Sequence, residues 1–175
     1  MNYAEIKKID IANGPGVRVT LFVSGCTHRC EGCFNEVTWD FNYGSPFDKN
    51  VEELLLSYLK PDYIAGLTLL GGEPLEYSNL QALLPFVRRV KEKYPKKDIW
   101  CYTGYRFEED ILENFCVQWD ETEEFLTYID VLVDGEFILA QKDISLQFRG
   151  SANQRIILVQ ESLKCGETVL WTENL

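Results

Sequence analysis

Several kinds of segment and residue are missing from this sequence of 175 residues. It has no uninterrupted apolar run of the roughly 18 residues that a membrane-spanning helix needs. Its first residues, MNYAEIKKIDIANGPG, lack the apolar core of a secretory signal, so we expect a cytoplasmic protein without a membrane partner. Basic residues are also in the minority, with 17 Lys and Arg against 28 Asp and Glu. Because nucleic-acid phosphates are bound by an excess of basic side chains, this balance argues against a nucleic-acid partner.

Histidine is nearly absent too. The single one is His28, so a zinc site of mixed Cys and His ligands would have to use this residue or none. The chain contains no internal repeat, no low-complexity segment and no linker long enough to separate two domains. Because hydrophobic residues make up 46% of the chain, it has enough apolar material for a packed core. We therefore expect residues 1–175 to form a single domain.

Short β-rich segments alternate with longer helical patterns. The predicted strands are residues 17–24, 67–70, 99–102, 129–133, 156–159 and a short one at 168–171. The predicted helices are residues 51–59, a helix with Ser78 as N-cap that runs to about residue 93, and a weaker one over 108–115. This alternation favours an α/β fold with a mainly parallel sheet. Since five or six strands are too few for a closed eight-stranded barrel, we expect an open, partial βα barrel.

Three segments that contain glycine follow predicted strands directly. They are residues 25–33, 71–74 and 103–105. Parallel α/β sheets place their chemistry beyond the carboxyl ends of the strands, so these segments should lie together on one edge of the fold.

The cysteines are unevenly distributed. Cys26, Cys30 and Cys33 are crowded into GCTHRCEGCFN, with the spacing C-x3-C-x2-C. Three thiolates on one loop can hold three irons of a [4Fe-4S] cubane and leave the fourth iron without a protein ligand. Such an open iron can chelate the amino and carboxylate groups of a methionine. One electron from the cluster would then break a carbon–sulfur bond of the adjacent sulfonium.

Other interpretations of the cysteines remain open. A zinc knuckle would combine them with His28, although Cys26 and His28 are two residues apart and would strain to share a tetrahedral ion. A four-thiolate cluster would recruit one of the scattered cysteines, which form no second C-x2-C group and which we assign to packing or surface: Cys101, Cys116 and Cys165. Buried free thiols are a third interpretation.

The segment Gly71-Gly72-Glu73-Pro74 ends a predicted strand. Glycines at such a place let the backbone approach a ligand closely, although a glycine pair by itself indicates no more than a turn. Together with the cysteine spacing, the segment is similar to the signature of the radical S-adenosylmethionine superfamily. An aromatic residue usually precedes the third cysteine in that superfamily, whereas Gly32 stands there in this sequence and Phe34 follows.

Further segments resemble one family within that superfamily, the activating enzymes of anaerobic (class III) ribonucleoside-triphosphate reductases. They are residues 13–18, 20–26, 33–35, 38–39, 98–100, 103–105, 131–135 and 148–155. The resemblance covers nearly the whole chain. It implies a radical S-adenosylmethionine oxidoreductase that generates a glycyl radical on the reductase, with a one-electron donor such as flavodoxin.

The resemblance also implies a set of site residues. Cys26, Cys30 and Cys33 would hold the [4Fe-4S] cluster. The expected contacts of S-adenosyl-L-methionine are Gly32, Cys33, Phe34, Gly72, Glu73 and Thr103. No side chain is expected to act as a catalytic acid or base, because the cluster and the cofactor break the bond.

A surface role for residues 149–155 is a further hypothesis. This stretch would meet the glycine-bearing loop of the reductase, or would simply form a tight turn into the strand at 156–159. Two further functions remain as alternatives: activation of another glycyl-radical enzyme, and a non-catalytic metal-binding interaction module.

Overall fold

The computed structural model describes residues 1–172 and contains one sheet of seven strands. The strands are β1 Asn2–Asp10, β2 Val17–Val23, β3 Ser45–Pro46, β4 Ile64–Gly71, β5 Asp98–Tyr102, β6 Val131–Asp134 and β7 Arg155–Leu158. The α-helices are α1 Lys49–Leu59, α2 Tyr77–Lys93, α3 Cys116–Gln118, α4 Asp120–Tyr128 and α5 Val159–Cys165. A π-helix spans Phe107–Phe115, and short 3-10 helices span Glu36–Trp39 and Leu139–Gln141. Among these residues, no helix combines the length and the apolar composition that a membrane span requires.

The predicted α/β fold is confirmed, and its sheet is mixed. In the strand order β3-β1-β2-β4-β5-β6-β7, the four strands β2, β4, β5 and β6 run parallel. The strands β1, β3 and β7 pair antiparallel at the two edges. The parallel part therefore forms the centre of the sheet, and the carboxyl ends of its four strands meet at one edge.

Three predictions about the elements are wrong. The expected five or six strands are seven, because β1 and the two-residue β3 carry too many polar residues to show an apolar alternation. Residues 168–171 form no strand, only an isolated bridge between Ile157 and Leu170. The N-cap position of α2 is Glu76, not Ser78, and no side chain caps this helix, because the Glu76 carboxylate accepts hydrogen bonds from Thr27.

The two faces of the sheet bury different cores. Alternate strand residues such as Leu21, Leu69, Cys101 and Leu132 pack in the larger core, to which the helices also contribute. The opposite face carries a smaller aromatic cluster, in which Trp100 packs against Phe148 and Trp171 at ring distances of 5.6 and 5.7 Å.

Candidate functional site

The loops that follow the four parallel strands surround a cavity of about 120 Å³. Seven of the predicted site residues line it: Cys26, Cys30, Cys33, Phe34, Gly72, Glu73 and Thr103. A second cavity of about 450 Å³ adjoins the first, and Gly32 lines this one together with Cys30, Cys33 and Phe34. The prediction that the three glycine-containing segments share one edge of the fold is therefore confirmed.

Backbone hydrogen bonds fix the loop that carries the three cysteines. The Gly25 amide donates to the carbonyl of Thr38 at 2.7 Å, and the Cys26 amide donates to the carbonyl of Trp39 at 3.3 Å. Within the loop, Arg29 has a φ of 52°, a left-handed conformation that a residue with a Cβ adopts rarely. Residues 38 and 39 thus anchor the start of the loop, and Arg29 gives its interior an unusual backbone shape.

The glycine pair packs directly against this loop. A Cβ atom on Gly72 would lie 2.5 Å from the carbonyl oxygen of Gly25 and 3.0 Å from that of Thr38. The next residue, Glu73, donates its amide hydrogen to the same Gly25 oxygen at 2.8 Å. Gly72 is therefore required for close packing between β4 and the cysteine loop, whatever its contact with a ligand.

The three cysteines are partly buried free thiols, and no disulfide joins them. Burial raises the pKa of the Cys26 thiol to about 12 and also raises the pKa of Cys30. A thiol in such surroundings stays protonated at neutral pH unless a metal displaces the proton.

Three cysteines that line one cavity fit the ligand set of an iron–sulfur cluster. Within residues 1–172, no three His, Cys, Asp or Glu side chains converge so as to hold one metal ion. In a cubane each thiolate binds its own iron, so the sulfurs need not converge on one point. The scattered cysteines fit a fourth-ligand role poorly, because Cys101 is buried in the larger core and neither Cys116 nor Cys165 lines the two cavities.

Glu73 is the centre of the hydrogen-bond network at this site. Its side chain is 1% exposed, and its carboxylate faces four partners from the protein. These partners are the Leu75 amide at 2.9 Å, the Thr103 hydroxyl at 2.8 Å, the Gly104 amide at 2.7 Å and the His28 Nε2 atom at 2.9 Å. Because these donors fill its lone pairs, the carboxylate serves to join three loops.

His28 has carboxylates on both ring nitrogens. Nε2 faces Glu73, and Nδ1 lies 3.1 Å from Oε1 of Glu136. Burial alone would lower the pKa of His28, but the hydrogen bonds and charges of the two carboxylates outweigh it and raise the pKa to about 9. Since carboxylates only accept, the protonated ring donates to both, which leaves no ring nitrogen for zinc. This geometry disfavours the zinc-knuckle interpretation.

Two further residues that sequence reasoning missed also hold the site together. Asn79 is buried, and its side-chain amide donates to the carbonyl oxygens of Ser24 at 2.9 Å and Glu73 at 3.0 Å. Glu76 accepts from the amide and the hydroxyl of Thr27, at 2.8 and 2.5 Å. The only signal for these roles in the sequence was the presence of a Glu and an Asn at the start of the helix that follows the GGEP segment.

Residues 149–154 form a turn that is held by its own hydrogen bonds, and Arg155 is the first residue of β7. The Gln154 side chain accepts from the amides of Gly150 and Ser151, and the Arg149 guanidinium donates to the Gln154 carbonyl at 2.5 Å. Arg155 pairs with Glu108 and Asp134. These contacts favour the interpretation of residues 149–155 as a tight turn that leads into a strand, although Arg149, Gly150 and Gln154 also line the larger cavity.

Comparisons with known proteins identify the family. Residues 12–157 match a family model described as a 4Fe-4S single cluster domain, which supports an iron–sulfur cluster in this chain. The chain is 49% identical over 158 residues to an anaerobic ribonucleoside-triphosphate reductase-activating protein of Haemophilus influenzae, covering 89% of this chain and 97% of the relative.

More distant relatives carry the same name. The identity is 44% over 156 residues with the Escherichia coli K12 protein, covering 88% of this chain and 96% of the relative. The identity is also 44% over 158 residues with the protein of enterobacteria phage T4, covering 89% of this chain and 93% of the relative. The chain therefore belongs to the family of anaerobic ribonucleoside-triphosphate reductase-activating proteins.

Proposed function

We propose that this chain is a radical S-adenosylmethionine enzyme that activates an anaerobic ribonucleoside-triphosphate reductase. The observation that carries the proposal is the cavity at the carboxyl edge of the parallel strands, where three cysteines face the GGEP segment. The names of the relatives supply the reductase as the partner. A one-electron donor such as flavodoxin would provide the electron, and the chemistry would take place in the cytoplasm.

Cys26, Cys30 and Cys33 would hold a [4Fe-4S] cluster with one iron open. When bound, the cluster would supply one electron and S-adenosylmethionine the carbon–sulfur bond that this electron cleaves, giving methionine and a 5'-deoxyadenosyl radical, which would take a hydrogen atom from a glycine Cα of the reductase. The protein contributes binding and orientation. The single domain over residues 1–175 would be an open βα barrel of the radical S-adenosylmethionine type.

The loops divide the binding of S-adenosylmethionine among them. Gly72 and Glu73 would meet its methionyl end, and Thr103 would contact it from the neighbouring strand end. Because the Glu73 carboxylate is engaged by protein donors, its contact with the cofactor would use the backbone. Gly32, Cys33 and Phe34 would lie along the rest of the cofactor, at the boundary between the two cavities.

Apolar side chains line the cavities in which the cofactor would bind. Leu70, Phe137 and Trp39 line the smaller cavity, and Leu70 and Phe137 also line the larger one. Such walls exclude water from the cluster and leave a radical few alternative hydrogen donors. Phe34 is 79% exposed beside the cavities, which is where a glycine loop of the reductase would have to enter.

The proposal is tested by anaerobic reconstitution with iron and sulfide. The protein should hold about four irons per chain. After reduction it should convert S-adenosylmethionine into 5'-deoxyadenosine and methionine, and should produce a glycyl radical signal when the reductase is added. Bound zinc without any cleavage product would overturn the catalytic role. Cleavage with a radical on a formate-lyase-type partner, but none on the reductase, would overturn only the choice of partner.

A further inference from the structure

One side chain lies in one of the four loops that follow the parallel strands and contacts the other three. His28 lies in the loop after β2, between two of the three crowded cysteines. Its ring bonds to Glu73 after β4 and to Glu136 after β6. The loop after β5 provides two further neighbours, Gly104 and Tyr105, and the side chain is only 9% exposed.

The contacts with the loop after β5 are steric. The Tyr105 ring meets the His28 ring edge-on, with centroids 4.4 Å apart. A Cβ atom on Gly104 would lie 2.6 Å from Nε2 of His28, so the imidazole occupies the space that a side chain there would need. The Gly104 amide donates to the same Glu73 oxygen that faces the imidazole. The ring is therefore enclosed by bonds on two sides and packing on the third.

We infer that His28 is a positioning residue, which holds the cysteine loop in register with the loops that bind S-adenosylmethionine. This inference rests on the proposed function. That function places the cluster on the cysteine loop and the contacts with the methionyl group on the loop after β4. A shift of one loop against the other would move the open iron away from the cofactor's amino and carboxylate groups. Since chelation needs both groups at once, a small loss of register costs much affinity.

Three substitutions of His28 distinguish the contribution of its ring packing from that of its hydrogen bonds. His28→Ala removes the ring, and His28→Phe keeps a ring against Tyr105 but removes both donors. His28→Gln keeps an amide that can donate to Glu73. Equilibrium dialysis of S-adenosylmethionine with the reconstituted, unreduced protein measures the effect, with iron content determined on the same samples. We expect a dissociation constant raised about 10-fold in the Ala and Phe variants and less in the Gln variant, with iron content retained.

Gly104→Ala gives an independent test that leaves His28 itself unchanged. The new methyl group would displace the imidazole and should weaken cofactor binding to the same degree as His28→Ala. In the double variant His28→Ala/Gly104→Ala the ring is already absent, so the second change should cost nothing further. Additive losses would show that Gly104 acts on its own and would overturn the inference.

A measurement on the metal-free protein completes the test. Hydrogen exchange in the peptide over residues 25–35 should become faster in His28→Ala and in Gly104→Ala. The matched control is Lys91→Met, which breaks an ion pair of 2.5 Å with Asp130 and should leave this peptide unchanged. Unchanged hydrogen exchange in both site variants would overturn the inference about His28. A wild-type protein that binds no S-adenosylmethionine would instead count against the proposed function, and the exchange measurement would still test His28.

Discussion

Two buried charged side chains lie near opposite ends of the parallel strands. Arg18, near the start of β2, donates to the Thr68 hydroxyl at 2.7 Å, to the Leu67 carbonyl at 2.9 Å and to Asp98 at 2.6 Å. Glu73, just beyond the end of β4, is surrounded by donors in the same way. One is a cation saturated by acceptors, and the other is an anion saturated by donors.

The two networks differ in what they join. The partners of Arg18 belong to β4 and β5 and to the turn before β2, and neither Arg18 nor these partners line the two cavities. The partners of Glu73 belong mainly to loops, and Glu73, His28, Thr103 and Gly104 all line the smaller cavity. Burial of a charge therefore does not by itself mark a functional site, whereas its place beyond the strand ends does.

The largest effect is expected for the thiols at the carboxyl edge. Replacing any one of Cys26, Cys30 or Cys33 by Ala should reduce S-adenosylmethionine cleavage to the background of the uncatalysed reaction, because each thiolate would hold one iron under the proposed function. Cleavage is measured from 5'-deoxyadenosine formed by the reduced protein. The exposed Cys165 is the control, and Cys165→Ala should keep full activity. An equally inactive Cys165→Ala protein would contradict the assignment of three ligands.

Substitution of the two central residues, Glu73 and Arg18, tests most directly whether one network serves activity and the other stability. Glu73→Gln places an amide donor against donors, so we expect cofactor cleavage to fall about 100-fold. Arg18→Met should instead lower the free energy of unfolding by about 3 kcal/mol, because it leaves buried acceptors without their hydrogen-bond donor. Urea unfolding of the metal-free proteins gives the stability, and product formation per cluster gives the activity. Full loss of activity in a folded Arg18→Met protein would contradict the distinction.

A smaller effect is expected for Asn79, which joins the cysteine loop to the glycine segment. Asn79→Ala removes the donor from two buried carbonyl oxygens, so unfolding should become easier by about 2 kcal/mol. Because the same bonds align the two loops, the dissociation constant of S-adenosylmethionine should rise as well. Urea unfolding and equilibrium dialysis measure the two quantities. A change in stability with unaltered cofactor affinity would place Asn79 with Arg18 as a purely structural residue.

The smallest effect concerns the Glu108–Arg155 pair outside the cavities. Hydrogen bonds from Arg155 hold the pKa of Glu108 at about 2, below the ordinary value of 4.5. The resulting stabilisation is fully present above about pH 4.5 and is lost as the pH falls through 2. Because the pair is partly exposed, we expect it to contribute only about 1 kcal/mol.

Urea unfolding at two pH values, one near neutral and one near 3, checks this expectation. Glu108→Gln lacks the titrating group, so its unfolding free energy should fall less on acidification than that of the wild-type protein. Equal losses in the two proteins would show that the ion pair contributes nothing to acid sensitivity.

The sequence predicted the central strands and the position of the site, because both depend on local patterns. The buried strands β2, β4 and β5 read as apolar runs, and the cysteines and the glycine pair follow two of them directly. The edge strand β1 was missed because its lysines and glutamate obscure any alternation. Helix α4 was missed because it opens on acidic residues with few apolar ones.

The connections within the site could not be predicted, because they are long-range. His28 was considered only as a zinc ligand, yet its partners Glu73 and Glu136 lie 45 and 108 residues away in the chain. Thr103 was expected to contact the cofactor from a strand end, and the structure shows that its hydroxyl is bonded to Glu73. Such pairings depend on which strands become neighbours, and no local pattern records that.

The central claim is that one iron of the cluster is left open to bind the cofactor. Electron paramagnetic resonance of the reduced, reconstituted protein, recorded with and without S-adenosylmethionine, tests it most directly. We predict that the cofactor shifts the spectrum of the [4Fe-4S] cluster, because its amino and carboxylate groups would coordinate the open iron. A spectrum that stays identical at saturating cofactor would contradict the claim.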